Sequence, residues 1–413
     1  MTKKVRLKIN SLAPLGDGVA IENGQFHYVP GAIPGDVVDA EILTRNKREV
    51  YTKLLKVVTP SAHRREAQCP VFGKCGGCTL LHADETLQRN TRRQALIRKF
   101  GINDVPFISA EPSLGYRRLA RLHMNRGRNG NVRLGFFEKR AHRIVDIDHC
   151  PILEAKISKV LPTLKKGMLR GLKSATLRIA TGNEGVYLHV KTEDAPKPVF
   201  YEEALRAVPS LLQGVVLDWD GIVATVAGGD ALTVDATDDT PFRMPAGSFG
   251  QANLSINKLL VGTVASWVGE MGCDEMLELY AGAGNFSFAL RKELKKISMV
   301  ELDANACHVA ALNFGDLSQV RIICDDALAA YQRMGRNVPL VLLDPPRTGA
   351  ADLVKAMAMT AHEAIIYVSC NPATLKRDLA YLEEGGYVVK QLVGFDMFPQ
   401  TTHLEVAVWL VRN

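Results

Sequence analysis

Hydrophobic and polar positions alternate with period two at the start of the chain. Val5-Arg6-Leu7-Lys8-Ile9 puts its apolar side chains on one face of a strand. Turn signals follow at Gly16-Asp17-Gly18, Asn23-Gly24 and Pro34-Gly35-Asp36, and Val37 to Leu43 and Tyr51 to Val58 read as further strands. Several short strands over residues 1–60 predict a small β-barrel of the oligonucleotide-binding kind, closed by Pro60.

The pattern then loosens. In residues 61–235 a cysteine-rich loop leads into a basic helix from Asp84 to Phe100. Strand-like runs follow at Val132 to Phe137, Thr176 to Ile179, Val186 to Val190 and Gly221 to Val226, with a helix near Lys156 to Arg170. This predicts a mixed α+β central domain. Over residues 236–413 the rhythm becomes strand, turn, helix. Met276 to Leu279, Ile297 to Leu302, Val320 to Ile323, Leu340 to Leu343 and Ala364 to Val368 are continuous apolar runs of strand length. Such strands, separated by helices, predict an α/β domain with a parallel sheet covered on both faces.

Charge adds a partner to this picture. Residues 1–150 hold 26 Lys/Arg against 14 Asp/Glu, a net +12, while the remainder has 25 against 30. The density peaks at Arg89, Arg92, Arg93, Arg98 and Lys99, and again from Arg117 to Arg133. A basic half of this kind points to a polyanion, RNA above all. Met1 to Asn10 lack the apolar core of a signal peptide, and the longest uncharged apolar stretch, near Leu259 to Gly269, is too short to span a bilayer. A cytoplasmic chain with no membrane partner is expected, and a monomer.

Candidate chemistry sits at the strand ends of the parallel sheet. Leu277-Glu278-Leu279-Tyr280-Ala281-Gly282-Ala283-Gly284-Asn285 follows its first strand. Gly282 and Gly284 allow a tight turn and close approach of a ligand. Ser287 stands where a dinucleotide fingerprint wants a third glycine, which argues against a pyrophosphate. Acidic residues end the next strands: Glu301, then Asp325 and Asp326, then Asp344 in Asp344-Pro345-Pro346-Arg347. Glu301 and Asp326 also stand where helix caps stand. Acids in register at the carboxyl ends of parallel strands suit a cation carrying a ribose, which is a description of S-adenosylmethionine.

Cys370 ends the run Ala364 to Val368 in Ser369-Cys370-Asn371-Pro372, with Asn371 and Pro372 placed as the N-cap and first residue of a helix. Backbone amides and the helix dipole favour thiolate there, so Cys370 is expected to be an activated nucleophile. Elsewhere Cys69-x5-Cys75-x2-Cys78 and the distant Cys150 form a four-thiolate set. In a cytosolic chain this reads as a metal site rather than a disulfide framework, and its spacing leaves zinc and a [4Fe–4S] cluster both open. Cys273, Cys307 and Cys324 show no partner pattern and read as core or surface residues.

The chain resembles the RNA uracil-C5 methyltransferases, and most closely the branch that acts on 23S ribosomal RNA. The residues that carry the likeness are Ser248-Phe249-Gly250-Gln251-Ala252-Asn253, the Gly282 to Asn285 turn, Asp344-Pro345-Pro346-Arg347 and Ser369-Cys370-Asn371-Pro372-Ala373-Thr374, together with the N-terminal barrel (TRAM) and the cysteine cluster. The resemblance implies a C-terminal Rossmann-like class I methyltransferase domain. It implies a methyl-donor pocket lined by Gln251, Tyr280, Asn285, Glu301, Asp326 and Asp344. It makes Cys370 the nucleophile and Glu405, in His403-Leu404-Glu405-Val406, the general base. It also favours a [4Fe–4S] cluster over zinc on Cys69, Cys75, Cys78 and Cys150.

These residue types match the chemistry. Uracil C5 is too weak a nucleophile to attack a sulfonium methyl. Thiolate addition at C6 makes C5 nucleophilic, and a base must afterwards remove the C5 proton so that the cysteine can leave. Asp344 can also hydrogen-bond the uracil edge, and Phe249 is a candidate to stack near a flipped base. Three rivals remain. An amino-methyltransferase would use Asp344-Pro345-Pro346 but wants an aromatic where Arg347 stands, and needs no cysteine. A transfer-RNA enzyme would share the chemistry. A non-catalytic RNA-binding iron–sulfur protein would not need Cys370 or Glu405.

Overall fold

The computed structural model describes residues 3–248 and 250–412, apart from the side chain of Arg336. Phe249, singled out above for stacking, lies outside the described residues.

The first six strands form one sheet, ordered Lys4–Lys8, Val37–Arg45, Glu49–Thr59, Gln25–Val29, Gly18–Glu22 and Ser11–Leu12. Its two edge strands are consecutive in the chain. The link between them bonds to both sides, with Ile9 N–H on Asp36 O at 2.9 Å and Asn10 N–H on Val19 O at 2.8 Å. The sheet therefore curls around its own core of Leu7, Ile9, Ala20, Val29, Val38 and Ala40. Period-two alternation supplies that inward face.

A second sheet of seven strands has the order Ile144–Asp146, Val132–Phe137, Leu119–Arg126, Ser174–Thr181, Val186–Thr192, Leu212–Trp219 and Ile222–Gly228. Helices Ala155–Lys166 and Pro198–Ala207 cover one face, where Leu122, Leu177, Leu188 and Val215 meet Ile157, Leu161 and Phe200. The other face carries exposed Arg121, Asn125, Arg133 and Lys191, with His123 stacked on Phe137 at 3.8 Å between ring centroids.

The C-terminal sheet has eight strands: Val320–Cys324, Lys296–Glu301, Glu275–Leu279, Leu340–Leu343, Ala364–Ser369, Glu405–Arg412, Tyr387–Phe395 and Phe107–Ile108. The first five are parallel and Glu405–Arg412 runs antiparallel to Ala364–Ser369. Separate apolar clusters pack on its two faces. Strand order reverses beside Glu275–Leu279, the position at which open parallel sheets bind ligands.

The edge strand comes from far upstream. Phe107–Ile108 pairs with Gly394–Phe395, and the helix Glu85–Phe100 that precedes it packs against helix Pro372–Glu384. Asp84 caps that helix by accepting from Leu87 N–H, and Gly101, at φ 70°, ends it. The segment read from sequence as part of the central domain is thus docked on the C-terminal sheet. Two of its charges are not free for a partner: Arg92 is 2% exposed and paired with Asp396, and Arg93 pairs with Asp104. Arg118 is also buried, donating to Thr181 O at 2.8 Å. Among the described residues, no helix is long and apolar enough to cross a membrane.

Candidate active site

The glycine turn begins where the strand Glu275–Leu279 ends. Tyr280, Gly282 and Gly284 all have positive φ, and the helix Asn285–Leu290 starts immediately after. At Gly284 a Cβ would lie 2.6 Å from the Phe314 ring, so only glycine fits the bend. The turn, with Gln251 and Asp344, lines a cleft of about 810 Å³ including its open mouth.

Gln251, Tyr280, Asn285 and Asp344 share this cleft. Gln251 Nε2 donates to Asp344 Oδ2 at 3.4 Å. Asn285 exchanges two hydrogen bonds, 2.9 and 3.0 Å, with Asn257 of the helix Leu254–Met271. Glu301 stands behind the turn and accepts from Gly282, Leu302 and Asp303 N–H groups, each at 2.8 Å. Three amides fix the carboxylate at the strand end, facing the glycine loop. Asp326 is the N-cap of the helix Ala327–Met334, accepting from Ala329 N–H at 3.0 Å, and its charge is felt at the Tyr280 hydroxyl.

Among the cleft residues that escaped the sequence reading, two carry hydrogen bonds that shape the site. One is Asn257. The other is Glu278, 1% exposed, which accepts from Ser287 N–H at 2.9 Å and from the Ser287 hydroxyl. Burial pushes it up to about 7, with Asp344 and Glu301 adding to the rise. An acid inside an otherwise apolar buried strand was the signal that could have found it.

The second half of the site lies at the same sheet edge. Cys370 follows the strand Ala364–Ser369, and Asn371 caps the next helix by accepting from Ala373 N–H at 3.1 Å. Ser369 pairs with Val406, so the register carries Cys370 toward Glu405. Leu343 pairs with Tyr367, which sets Asp344 on the other flank. Three neighbouring strands thus deliver a carboxyl, a thiol and a second carboxyl to one edge. Arg347 anchors this edge: its carbonyl accepts from Asn371 Nδ2 at 2.9 Å, and its guanidinium is near enough to the Cys370 thiol to favour the thiolate.

The electrostatics reverse one expectation. The helix start was expected to hold Cys370 as thiolate. Burial instead pushes its thiol up to about 11, helped by Glu405 and Asp344 and opposed by Arg347. Loss of hydration and two nearby carboxyl groups outweigh a helix terminus and one exposed cation. Burial also raises Asp344 to about 7 and holds Glu405, 2% exposed, well above the usual carboxylate range.

Cys69, Cys75, Cys78 and Cys150 line one separate cavity with Phe136 and His149. All four are free thiols. Burial raises Cys75 to about 11 and Cys78 still higher, and the neighbouring thiols add to both. Among the described residues, no three His, Cys, Asp or Glu side chains are placed so that they could hold a metal ion.

The fold and the cleft are those of a class I methyltransferase. The family model described as tRNA (Uracil-5-)-methyltransferase matches residues 229–413. The 23S rRNA (uracil(1939)-C(5))-methyltransferase RlmD of Shewanella amazonensis is 31% identical over 428 residues, spanning 98% of this chain and 95% of the relative. An uncharacterized RNA methyltransferase of Halalkalibacterium halodurans is 30% identical, spanning 99% and 97%. The crystal structure of the Pyrococcus abyssi tRNA (uracil-54, C5)-methyltransferase, in complex with S-adenosyl-L-homocysteine, superposes with a TM-score of 0.79 over 98% of this chain and all of that one, at 24% identity. The chain belongs to the S-adenosylmethionine-dependent RNA uracil-C5 methyltransferases.

Proposed function

We propose that this enzyme methylates C5 of a uridine in 23S ribosomal RNA through a covalent bond between Cys370 and C6. The observation that carries the mechanism is the convergence of Asp344, Cys370 and Glu405 from three adjacent strands, beside the cleft of the glycine turn. The ribosomal target is supported by relatives of 30 to 31% identity whose names specify 23S rRNA.

S-adenosylmethionine supplies the methyl group. Gln251, Tyr280, Asn285 and Asp344 would hold it in the cleft, Glu301 would take its ribose hydroxyls, and Asp326 would face the adenine side. The mixed lining of apolar side chains with Gln251, Asn285 and Asp344, and the amide-pinned carboxylate of Glu301, fit such a molecule. Cys370 adds to C6 of the uracil, and Arg347 stabilises the thiolate. Asp344 holds the uracil edge. After methylation Glu405 takes the C5 proton, the C5–C6 double bond re-forms and Cys370 leaves.

RNA would lie on the N-terminal barrel and on the open face of the central sheet, where Arg121, Arg133 and Lys191 surround the His123–Phe137 stack. The four thiols would hold a [4Fe–4S] cluster. They are four sulfur donors around one cavity, and a cube takes one thiolate at each of four corners.

Mass spectrometry of RNA from a strain lacking the gene tests the assignment. Loss of one 5-methyluridine from 23S rRNA is expected, with transfer RNA unchanged. Loss from transfer RNA alone would overturn the ribosomal target and leave the chemistry standing.

A further inference from the structure

Two thiols without a role in the chemistry above meet behind the glycine turn. Cys324 is exposed, ends the strand Val320–Cys324 and pairs in register with Glu301. Cys307 is 8% exposed and belongs to the helix Ala304–Phe314. Cys307 Sγ donates to Glu301 O at 3.4 Å and Cys324 Sγ to Leu302 O at 3.8 Å. The acceptors are consecutive carbonyls, which brings the two side chains to the same turn, and Cys324 lies close enough to act on the Cys307 thiol. This pair braces the turn whose Leu302 and Asp303 amides hold the Glu301 carboxylate. Cys324 also directly precedes Asp325 and Asp326.

We propose that Cys307 and Cys324 are a redox modification site: they form a reversible disulfide that weakens binding of the methyl donor. The consequence for binding rests on the reading that Glu301 holds the ribose.

The oxidant class is a low-molecular-weight disulfide such as oxidised glutathione. Exposed Cys324, as thiolate, attacks one sulfur, forming a mixed disulfide and expelling one glutathione thiolate. Cys307 then attacks the Cys324 sulfur and expels the second glutathione. Two thiols lose two protons and two electrons, and one glutathione disulfide becomes two thiols. Burial pushes the Cys307 thiol up to about 12, with Cys324 beside it adding to the rise, so Cys307 is the slower, resolving partner. A disulfide has no S–H. Glu301 O keeps its bond from Asp325 N–H at 3.0 Å, but both thiol braces are lost and the strand end is tied to the helix. The Glu301 turn and the chain leading to Asp326 are then repositioned together.

The test uses the full chain, purified anaerobically and treated with oxidised glutathione. Peptide mass spectrometry maps the cross-link, and calorimetry measures affinity for S-adenosylhomocysteine. We expect a Cys307–Cys324 disulfide, affinity lowered about tenfold, a size usual for coupled sites, and full recovery with dithiothreitol. Cys324→Ser, whose hydroxyl can still donate toward Leu302 O, should show the same affinity before and after the oxidant. Absence of the cross-link at excess oxidant overturns the site. A cross-link with unchanged affinity, or equal sensitivity in Cys324→Ser, overturns its effect on the donor. Glu301→Ala separates the underlying reading: normal affinity in that variant removes the ribose assignment, whether or not the disulfide forms.

Discussion

Arg92 and Asp396 form a buried ion pair, Nη2 to Oδ2 at 2.8 Å, with the residues 2% and 5% exposed. Arg92 Nη1 also donates to Thr401 O at 2.6 Å. The pair fastens the helix Glu85–Phe100 to the chain just ahead of Glu405. A basic residue suited to RNA by its neighbours in sequence is instead part of the frame of the active site.

The energetic consequence is asymmetric. Removing one partner strands a buried charge, so Arg92→Ala is expected to cost about 3–5 kcal/mol of stability. Arg92 Nε and Asp396 Oδ1 are buried without partners, so the pair is incompletely satisfied. Arg92→Met combined with Asp396→Leu should therefore cost much less than either single change. Denaturant unfolding of the three variants checks this, and equal losses in the double and single variants would refute it.

RNA affinity should depend on a different face. Arg121 and Arg133 project from the open side of the central sheet. Replacing both by Ala should weaken binding to all RNAs and flatten the dependence of log affinity on log salt by about 1.5 to 2. Arg121 and Arg133 are not RNA contacts if filter binding across a salt series gives the same slope in the double variant.

The parallel sheet was legible because its strands are continuous apolar runs, and the glycine turn because positive φ demands glycine at Gly284. Cys370 was legible from the strand before it and the proline after it. What was missed depends on distant packing. Phe107–Ile108 is too short to read as a strand and pairs with residues near the far end of the chain. Arg92 and Arg118 count as surface charge until their burial is seen. The sign of the Cys370 shift needed Glu405 and Asp344 beside it, which only the strand register supplies.

The cluster assignment predicts brown protein under anaerobic conditions, with about four irons per chain. Cys75→Ser should bleach it, because Cys75 lies with the other three thiols around one cavity. Metal analysis of protein from its native host decides. Stoichiometric zinc with no iron would replace the cluster with a structural zinc.

Cys370 should react slowly at neutral pH in the free enzyme. Its thiol is pushed up to about 11, so its alkylation by iodoacetamide should climb through that pH. Arg347 favours the thiolate, so Arg347→Ala should move the profile upward. Glu405 disfavours it, so Glu405→Gln should move the profile downward. Mass spectrometry of the Cys370 peptide isolates this thiol from the others. A profile unmoved by either change would mean that neither group acts on the nucleophile.

Glu405 is the sharpest test of the covalent mechanism. It sits one strand away from the nucleophile, almost fully buried, at the start of the strand Glu405–Arg412. Burial and Asp344 hold its proton tightly in the free enzyme, while Arg347 opposes them. A cationic donor in the cleft would favour the ionised form further. After methyl transfer C5 carries both a methyl group and a proton, and Cys370 cannot leave until that proton is taken. Glutamine cannot take it. Glu405→Gln should therefore attack and methylate but fail to resolve, accumulating a covalent complex of Cys370 with methylated RNA on a denaturing gel. Cys370→Ala should abolish methylation and leave S-adenosylhomocysteine binding intact, and combined with Glu405→Gln it should remove the complex. A residue that only positioned the uridine would slow formation of the complex rather than its decay. Normal turnover in Glu405→Gln would assign the proton to another base.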